Sequence, residues 1–186
     1  AGKPRSKLAT SSSSAVEGDE ANFPTDLETY ARDQIRVLIA QRFKGHELTR
    51  LVAAVLRVQG YQTHVAPEGP DGGIDIVAAP GGLGFGEPRL AVQVKSGNET
   101  AGTSVVNELR GAMNTVNATR GLVVSWSGFR RPVDSKRAEL FFDIRLWDAD
   151  DLIAAVTEVY ERLPDEMQSK LPLKRAWVLV QEDLSD

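Results

Sequence analysis

Two short apolar runs separated by a glycine-rich stretch constrain this chain more than any other feature. Ile74-Asp75-Ile76-Val77-Ala78 follows the turn-prone Asp71-Gly72-Gly73, and Leu90-Ala91-Val92-Gln93-Val94-Lys95 follows Gly81-Gly82-Leu83-Gly84-Phe85-Gly86. Both read as strands, near enough in sequence to pair as an antiparallel hairpin. Side chains alternate across a strand, so Gln93 and Lys95 share one face and Val94 points to the other. In such a hairpin Asp75, Gln93 and Lys95 can converge on one point. A carboxylate suited to a hard cation, beside an ammonium suited to a water or a phosphate, is the minimum kit for metal-assisted phosphodiester hydrolysis.

Helical periodicity brackets these runs. Leu27, Tyr30, Ala31, Ile35, Leu38, Ile39 and Phe43 recur at three- and four-residue steps, with Thr25 and Asp26 as capping candidates. His46 to Gln59 forms a second helix, closed by Gly60, and Tyr61 to Val65 a first strand. Thr103 to Ala118 is helical, Leu122 to Ser125 and Ile144 to Trp147 are strands, and Asp148 to Leu163 is a closing helix stopped by Pro164. The order α-β-β-β-α-β, continued by helix and strand, predicts an α/β fold: a central mixed sheet flanked by helices on both faces. Residues 1–22, with Ser11 to Ser14, read as a tail or linker, 23–163 as one domain, and 164–186 as an extension in which Trp177 to Val180 is a possible strand.

Glu47 supplies a further carboxylate, in the first turn of the second helix. The helix dipole alone favours an acidic residue there, by roughly 0.3–1 kcal/mol, so its position has an ordinary explanation beside a catalytic one. Other motifs fail on context. Gly81 to Gly86 links two strands and opens no helix, so it lacks the helix N-terminus a dinucleotide loop needs. Ser125-Trp126-Ser127-Gly128 has no glycine two residues before either serine, which excludes a nucleophile elbow. His46 and His64 are the only histidines, one per segment, a poor start for a zinc site.

Charge is unevenly spread. The formal net charge is −4, yet residues 89–147 carry 9 basic against 5 acidic groups and residues 148–186 carry 4 against 10. A polyanion responds to the local field, so the middle of the chain is where a phosphate backbone would lie. Arg110, Arg130, Arg131, Lys136 and Arg137 are the candidate DNA contacts, arginine because its fork grips phosphate bidentately. With no cysteine, disulfides and thiolate metal sites are excluded and a cytoplasmic setting is expected. No apolar run approaches membrane-spanning length.

Gly45-His46-Glu47 with Leu51-Val52, then Gly60-Tyr61, Asp71-Gly72-Gly73-Ile74-Asp75, Gln93-Val94-Lys95 and Gly121-Leu122-Val123-Val124-Ser125, taken in this order, resembles the Mrr-like restriction endonucleases. These are a branch of the PD-(D/E)xK phosphodiesterases in which glutamine stands where the wider superfamily has an acidic residue. The resemblance spans about Phe43 to Ile153. It implies a restriction-endonuclease-like sandwich and a Mg²⁺-dependent DNA endonuclease, Mn²⁺ being a possible substitute, acting in type IV-like restriction of foreign or modified DNA. It further implies catalytic roles for Glu47, Asp75, Gln93 and Lys95. Metal ligation would fall to Asp75, to Glu47 directly or through water, and to the backbone carbonyl of Val94. Double-stranded DNA is the implied partner, and a homodimer or a separate DNA-recognition module is compatible with the pattern. Gln93 binds Mg²⁺ more weakly than a carboxylate, which leaves one metal or two open. Two other readings stand beside this one: a non-catalytic DNA-binding domain that keeps the fold, and a repair or junction nuclease.

Overall fold

A computed structural model of the chain describes residues 27–69 and 73–177. The proposed tail 1–22, the caps Thr25 and Asp26, the turn residues Asp71 and Gly72, and Val178 to Val180 lie outside the described residues. Five strands form one sheet in sequential order: β1 (Tyr61–Val65), β2 (Ile76–Pro80), β3 (Leu90–Lys95), β4 (Arg120–Ser125) and β5 (Ile144–Trp147). The first three pair antiparallel and the last three parallel, so the sheet is mixed as expected. The register of β3 sets Lys95 opposite Ser125 and Gln93 opposite Val123.

Helices cover both faces. On one side lie α1 (Leu27–Arg42), α2 (His46–Val58) and α6 (Ala149–Val159), whose Ile39, Leu51, Val55, Leu152 and Val156 pack with Ile76, Val92, Val94, Leu122 and Val124. On the other lie α3 (Thr103–Thr115) and two single-turn helices, α4 (Arg131–Asp134) and α5 (Arg137–Leu140). Here Val106, Leu109, Met113, Val133 and Leu140 pack with Ala91, Val123, Ile144 and Leu146. The alternation of β3 is therefore split: Val92 and Val94 serve one core, Ala91 the other. Each fully buried aliphatic side chain contributes roughly 1.5–3 kcal/mol. Gly121 permits the close approach of β4 to α3, since a Cβ there would meet Ile144 Cγ1 at 2.9 Å and Leu109 Cδ2 at 3.1 Å.

Some boundaries differ from the sequence reading. The second strand begins at Ile76, two residues late, because Ile74 and Asp75 belong to the turn entering it. The α3 helix ends at Thr115, and Asn117 adopts φ 54° in the turn to β4. α4, α5 and α7 (Asp165–Lys170) are too short to show a hydrophobic period. α7 still matters to the core, to which it contributes Met167, followed by the fully buried Leu171. The closing helix is held at its start by a capping box between Asp148 and Asp151 and tightens into a 3-10 turn at Tyr160–Arg162.

Candidate active site

Asp75 stands where the chain turns into β2. Its backbone N–H donates to Val92 O at 2.8 Å, although Val92 is the Cα partner of Ile76. Two successive residues thus face one, in the manner of a β-bulge, and this redirects the Asp75 side chain along β3. Its Oδ2 accepts from Val94 N at 2.6 Å. Backbone groups two residues apart on a strand face the same way, so the Val94 carbonyl turns to the same edge as the Asp75 carboxylate. That edge presents two oxygen donors of the kind Mg²⁺ prefers.

Gln93 and Lys95 occupy the α3 face of β3. Gln93 is buried, and its neighbours orient its amide: Nε2 donates to Val105 O at 3.2 Å and Oε1 accepts from Lys95 Nζ at 3.2 Å. The side chain thereby ties the first turn of α3 to the lysine. Gly73, at φ 87°, makes room for it, since a Cβ there would sit 3.3 Å from the Gln93 amide. Lys95 borders a cavity of about 400 Å³ with Gly102, Ser104 and Arg130, at the start of α3. Asp75 borders another, of about 590 Å³, with His64, Glu108 and Gly111, one to two turns further along α3.

Glu47 is engaged elsewhere. Its Oε2 accepts from Lys170 Nζ at 2.7 Å and its Oε1 from Arg50 Nη1 at 3.2 Å. The Lys170 hydrogen bond, over the opposing effect of desolvation, holds the Glu47 carboxyl below the usual glutamate range, with the charges of Lys170, Arg50 and His46 adding to it. Lys170 is raised in turn, by Glu47 first and Glu166 second. The sequence reading put Glu47 in one cleft with Asp75 and Lys95; its contacts are with Arg50 and Lys170, from a helix that packs on the other side of the sheet from Gln93. Among the described residues, no three or more His, Asp or Glu side chains are grouped to hold a metal ion.

The candidate DNA contacts divide in two. Arg137 donates to Asp134, Asp148, Asp151 and the Leu146 carbonyl, and lies over the Phe129 ring. Burial opposes its charge, but the hydrogen bonds of Asp134 and Asp151 outweigh it and raise its pKa. Arg110 donates twice to Asp143. Both forks are thus occupied within the fold. Arg130, Arg131 and Lys136 are exposed, and Arg130 lies beside Gly102 in the Lys95 cavity. Sequence reasoning missed Val105 and Lys170. The first acts through its backbone carbonyl and the second lies 123 residues from its partner, so neither left a local signal.

Residues 40–156 match the family model described as restriction endonuclease, of the Mrr catalytic type. The chain belongs to the Mrr-like restriction endonuclease family. Its fold is similar to that of the DNA modification-dependent restriction endonuclease AspBHI, with TM-score 0.57 and 18% identity over 91% of this chain and 43% of that one. The chain spans less than half the length of that relative. MspJI restriction endonuclease, solved in complex with a 27-mer oligonucleotide, is similar at TM-score 0.44 and 17% identity, over 78% of this chain and 33% of that one. No curated protein matches this chain. Among the described residues, no helix of this family member is long and apolar enough to cross a membrane.

Proposed function

We propose that this chain is the catalytic domain of a divalent-metal-dependent DNA endonuclease that hydrolyses phosphodiester bonds, in restriction of foreign or modified DNA. The observation that carries this reading is the hydrogen bond from the Val94 N–H to the Asp75 carboxylate, beside the Gln93–Lys95 pair on β3, in a chain of the restriction endonuclease family. Asp75 and the Val94 carbonyl would hold the metal, whose oxygen-only preference they suit. When bound, the metal supplies Lewis-acid stabilisation of the phosphate and lowers the pKa of water.

The other roles belong to the protein's own side chains. Lys95 orients the attacking water and offsets the charge that develops on the scissile phosphate. Gln93 holds the ammonium in place by its carbonyl oxygen, its own amide anchored on α3, and so acts as a positioning residue. Arg130, at the mouth of the Lys95 cavity, grips the flanking phosphate, and Arg131 and Lys136 extend that face. Glu47 anchors α7 to α2 through Lys170. Two nicks are needed to cut a duplex, which suits a homodimer, and choice of sequence or base modification falls to a separate recognition module.

Nicking of supercoiled plasmid, methylated and unmethylated, in Mg²⁺ or Mn²⁺ against EDTA, tests the reading. Cleavage that requires the metal and disappears in Lys95→Ala supports it. Wild-type protein that binds DNA but cuts none of these substrates would leave a binding domain in its place.

A further inference from the structure

At the end of the sheet away from Lys95, a cleft of about 380 Å³ opens on the α2 side. Its floor is apolar, formed by Leu90 and Leu122, and its walls are aromatic: Tyr61, Trp147 and the turn residues Phe141 and Phe142. Phe142 is 79% exposed and Phe141 44%, their rings meeting edge to face with centroids 5.0 Å apart. Such rings on a charged surface are costly unless something covers them. Two arginines rim the same cleft. The Arg145 guanidinium lies over the Phe141 ring, 3.5 Å from its centroid, and Arg120 stands at the start of β4.

The charges around this cleft select its occupant. Asp143, the one carboxylate lining it among the described residues, is taken by two hydrogen bonds from Arg110. The nearby Glu87 accepts from Arg89 N and Thr119 Oγ1 and pairs with the Arg89 side chain. Arg145 and Arg120 form no ion pair among the described residues. Arg120 gives one N–H to Thr119 O and its charge acts on Glu87, whose own partner is Arg89, so the rim is left net positive. An occupant must therefore carry negative charge and present flat apolar faces to the rings. Unpaired nucleotides of a DNA strand meet both demands: bases stack on aromatic rings whatever their identity, and phosphates lie against arginine. Duplex DNA meets only the demand for charge, since its base faces are already covered.

We propose that this cleft is an accessory site for single-stranded or unpaired DNA, distinct from the catalytic end. This inference rests on the reading of the chain as a DNA enzyme. The strands between the two ends are six residues long, so the mouth of the cleft at Leu90 and Arg120 lies on the order of 17 Å from Lys95, at about 3.3 Å per residue. Trp147 extends its wall along the sheet to the level of Val124. Bases stack on Phe142, the more exposed ring, and Arg145, held over Phe141, binds the flanking phosphates together with Arg120.

The test is fluorescence anisotropy with a labelled 12-mer of thymidylate and with a duplex of equal length, in EDTA. Phe142→Leu, which keeps apolar bulk but removes the aromatic face, and Arg145→Ala are each expected to weaken single-strand binding roughly tenfold, duplex binding being unchanged. Phe142→Tyr should restore it. Oligonucleotide binding should quench the fluorescence of Trp147, a response lost in Trp147→Leu. Thermal melting of each variant confirms that it folds. Unchanged single-strand affinity in the Phe142→Leu/Arg145→Ala double variant overturns the proposal. So does equal binding by the Leu and Tyr variants, which would indicate a general apolar docking surface for a protein. Lys95→Ala separates this inference from the catalytic reading: it should abolish plasmid nicking and bind the 12-mer like wild type. Nicking that survives in Lys95→Ala counts against the catalytic reading alone.

Discussion

The Asp75 carboxylate and the Val94 backbone are joined at 2.6 Å, with the carboxylate accepting the N–H that a neighbouring strand would otherwise receive. One side chain thus closes the end of the β2–β3 ladder and, in the function proposed above, would also bind a cation. Asp75→Asn and Asp75→Ala separate these duties. The Asn amide oxygen can still accept from Val94, whereas Ala leaves that N–H without this acceptor, at a cost of about 1–3 kcal/mol. Both variants should lose plasmid cleavage and calorimetric Mg²⁺ binding, with only Ala lowering the chemical-denaturation midpoint. Full cleavage by Asp75→Asn would remove Asp75 from the metal site.

Gln93 predicts a different split. Gln93→Leu keeps much of the buried volume but loses both the Val105 anchor and the hold on Lys95. The ammonium is then free to wander, and displacement of a catalytic group by an ångström can cost about a hundredfold in rate. Single-turnover cleavage should fall roughly tenfold to a hundredfold while Mg²⁺ affinity stays within about twofold. A large loss of Mg²⁺ affinity would make Gln93 a metal ligand.

The Glu47–Lys170 pair should reveal itself through pH. The folded-state pKa of Glu47 is lowered, so its contribution is present above the ordinary glutamate range and is lost as pH falls through the folded value. Lys170 is raised, so its contribution is present below the ordinary lysine range and is lost only as pH rises through the higher folded value. Across neutral pH both are intact. Lys170→Met should lower the melting temperature by about 2 °C at roughly pH 7, and the difference should shrink as pH falls through the lowered folded value of Glu47. A difference that persists in acid would mean that Lys170 acts by packing alone.

The arginines should sort by stability and by salt. Arg137→Ala cuts ties to three carboxylates and should cost about 1–3 kcal/mol in urea unfolding, lowering DNA affinity only as far as it unfolds the protein. Arg130→Ala with Arg131→Ala should leave the urea midpoint in place. It should flatten the log–log salt dependence of DNA binding by about one unit for each phosphate the two arginines neutralise. An unchanged slope would move the DNA face away from the start of α4.

Much of the fold was legible because it is governed by local periodicity. Strands β1, β3 and β5 lie where alternation and turn residues put them, and α2 begins at His46 as its apolar spacing requires. Strand β2 begins two residues later than its apolar run suggests, since Ile74 continues that run although the bulge at Asp75 takes it out of the ladder. The short helices α4, α5 and α7 carry too few residues for a period to register.

The same division governs the candidate site. That Gln93 and Lys95 share a face was determined by the sequence alone, because side-chain alternation is a property of any extended backbone. Which face they share, that Val105 anchors the glutamine, that Lys170 takes Glu47, and that Asp134, Asp148 and Asp151 take Arg137 were decided by tertiary structure. A charged side chain pairs with whatever opposite charge the packing of distant helices brings within about 3 Å, and no local pattern records that meeting.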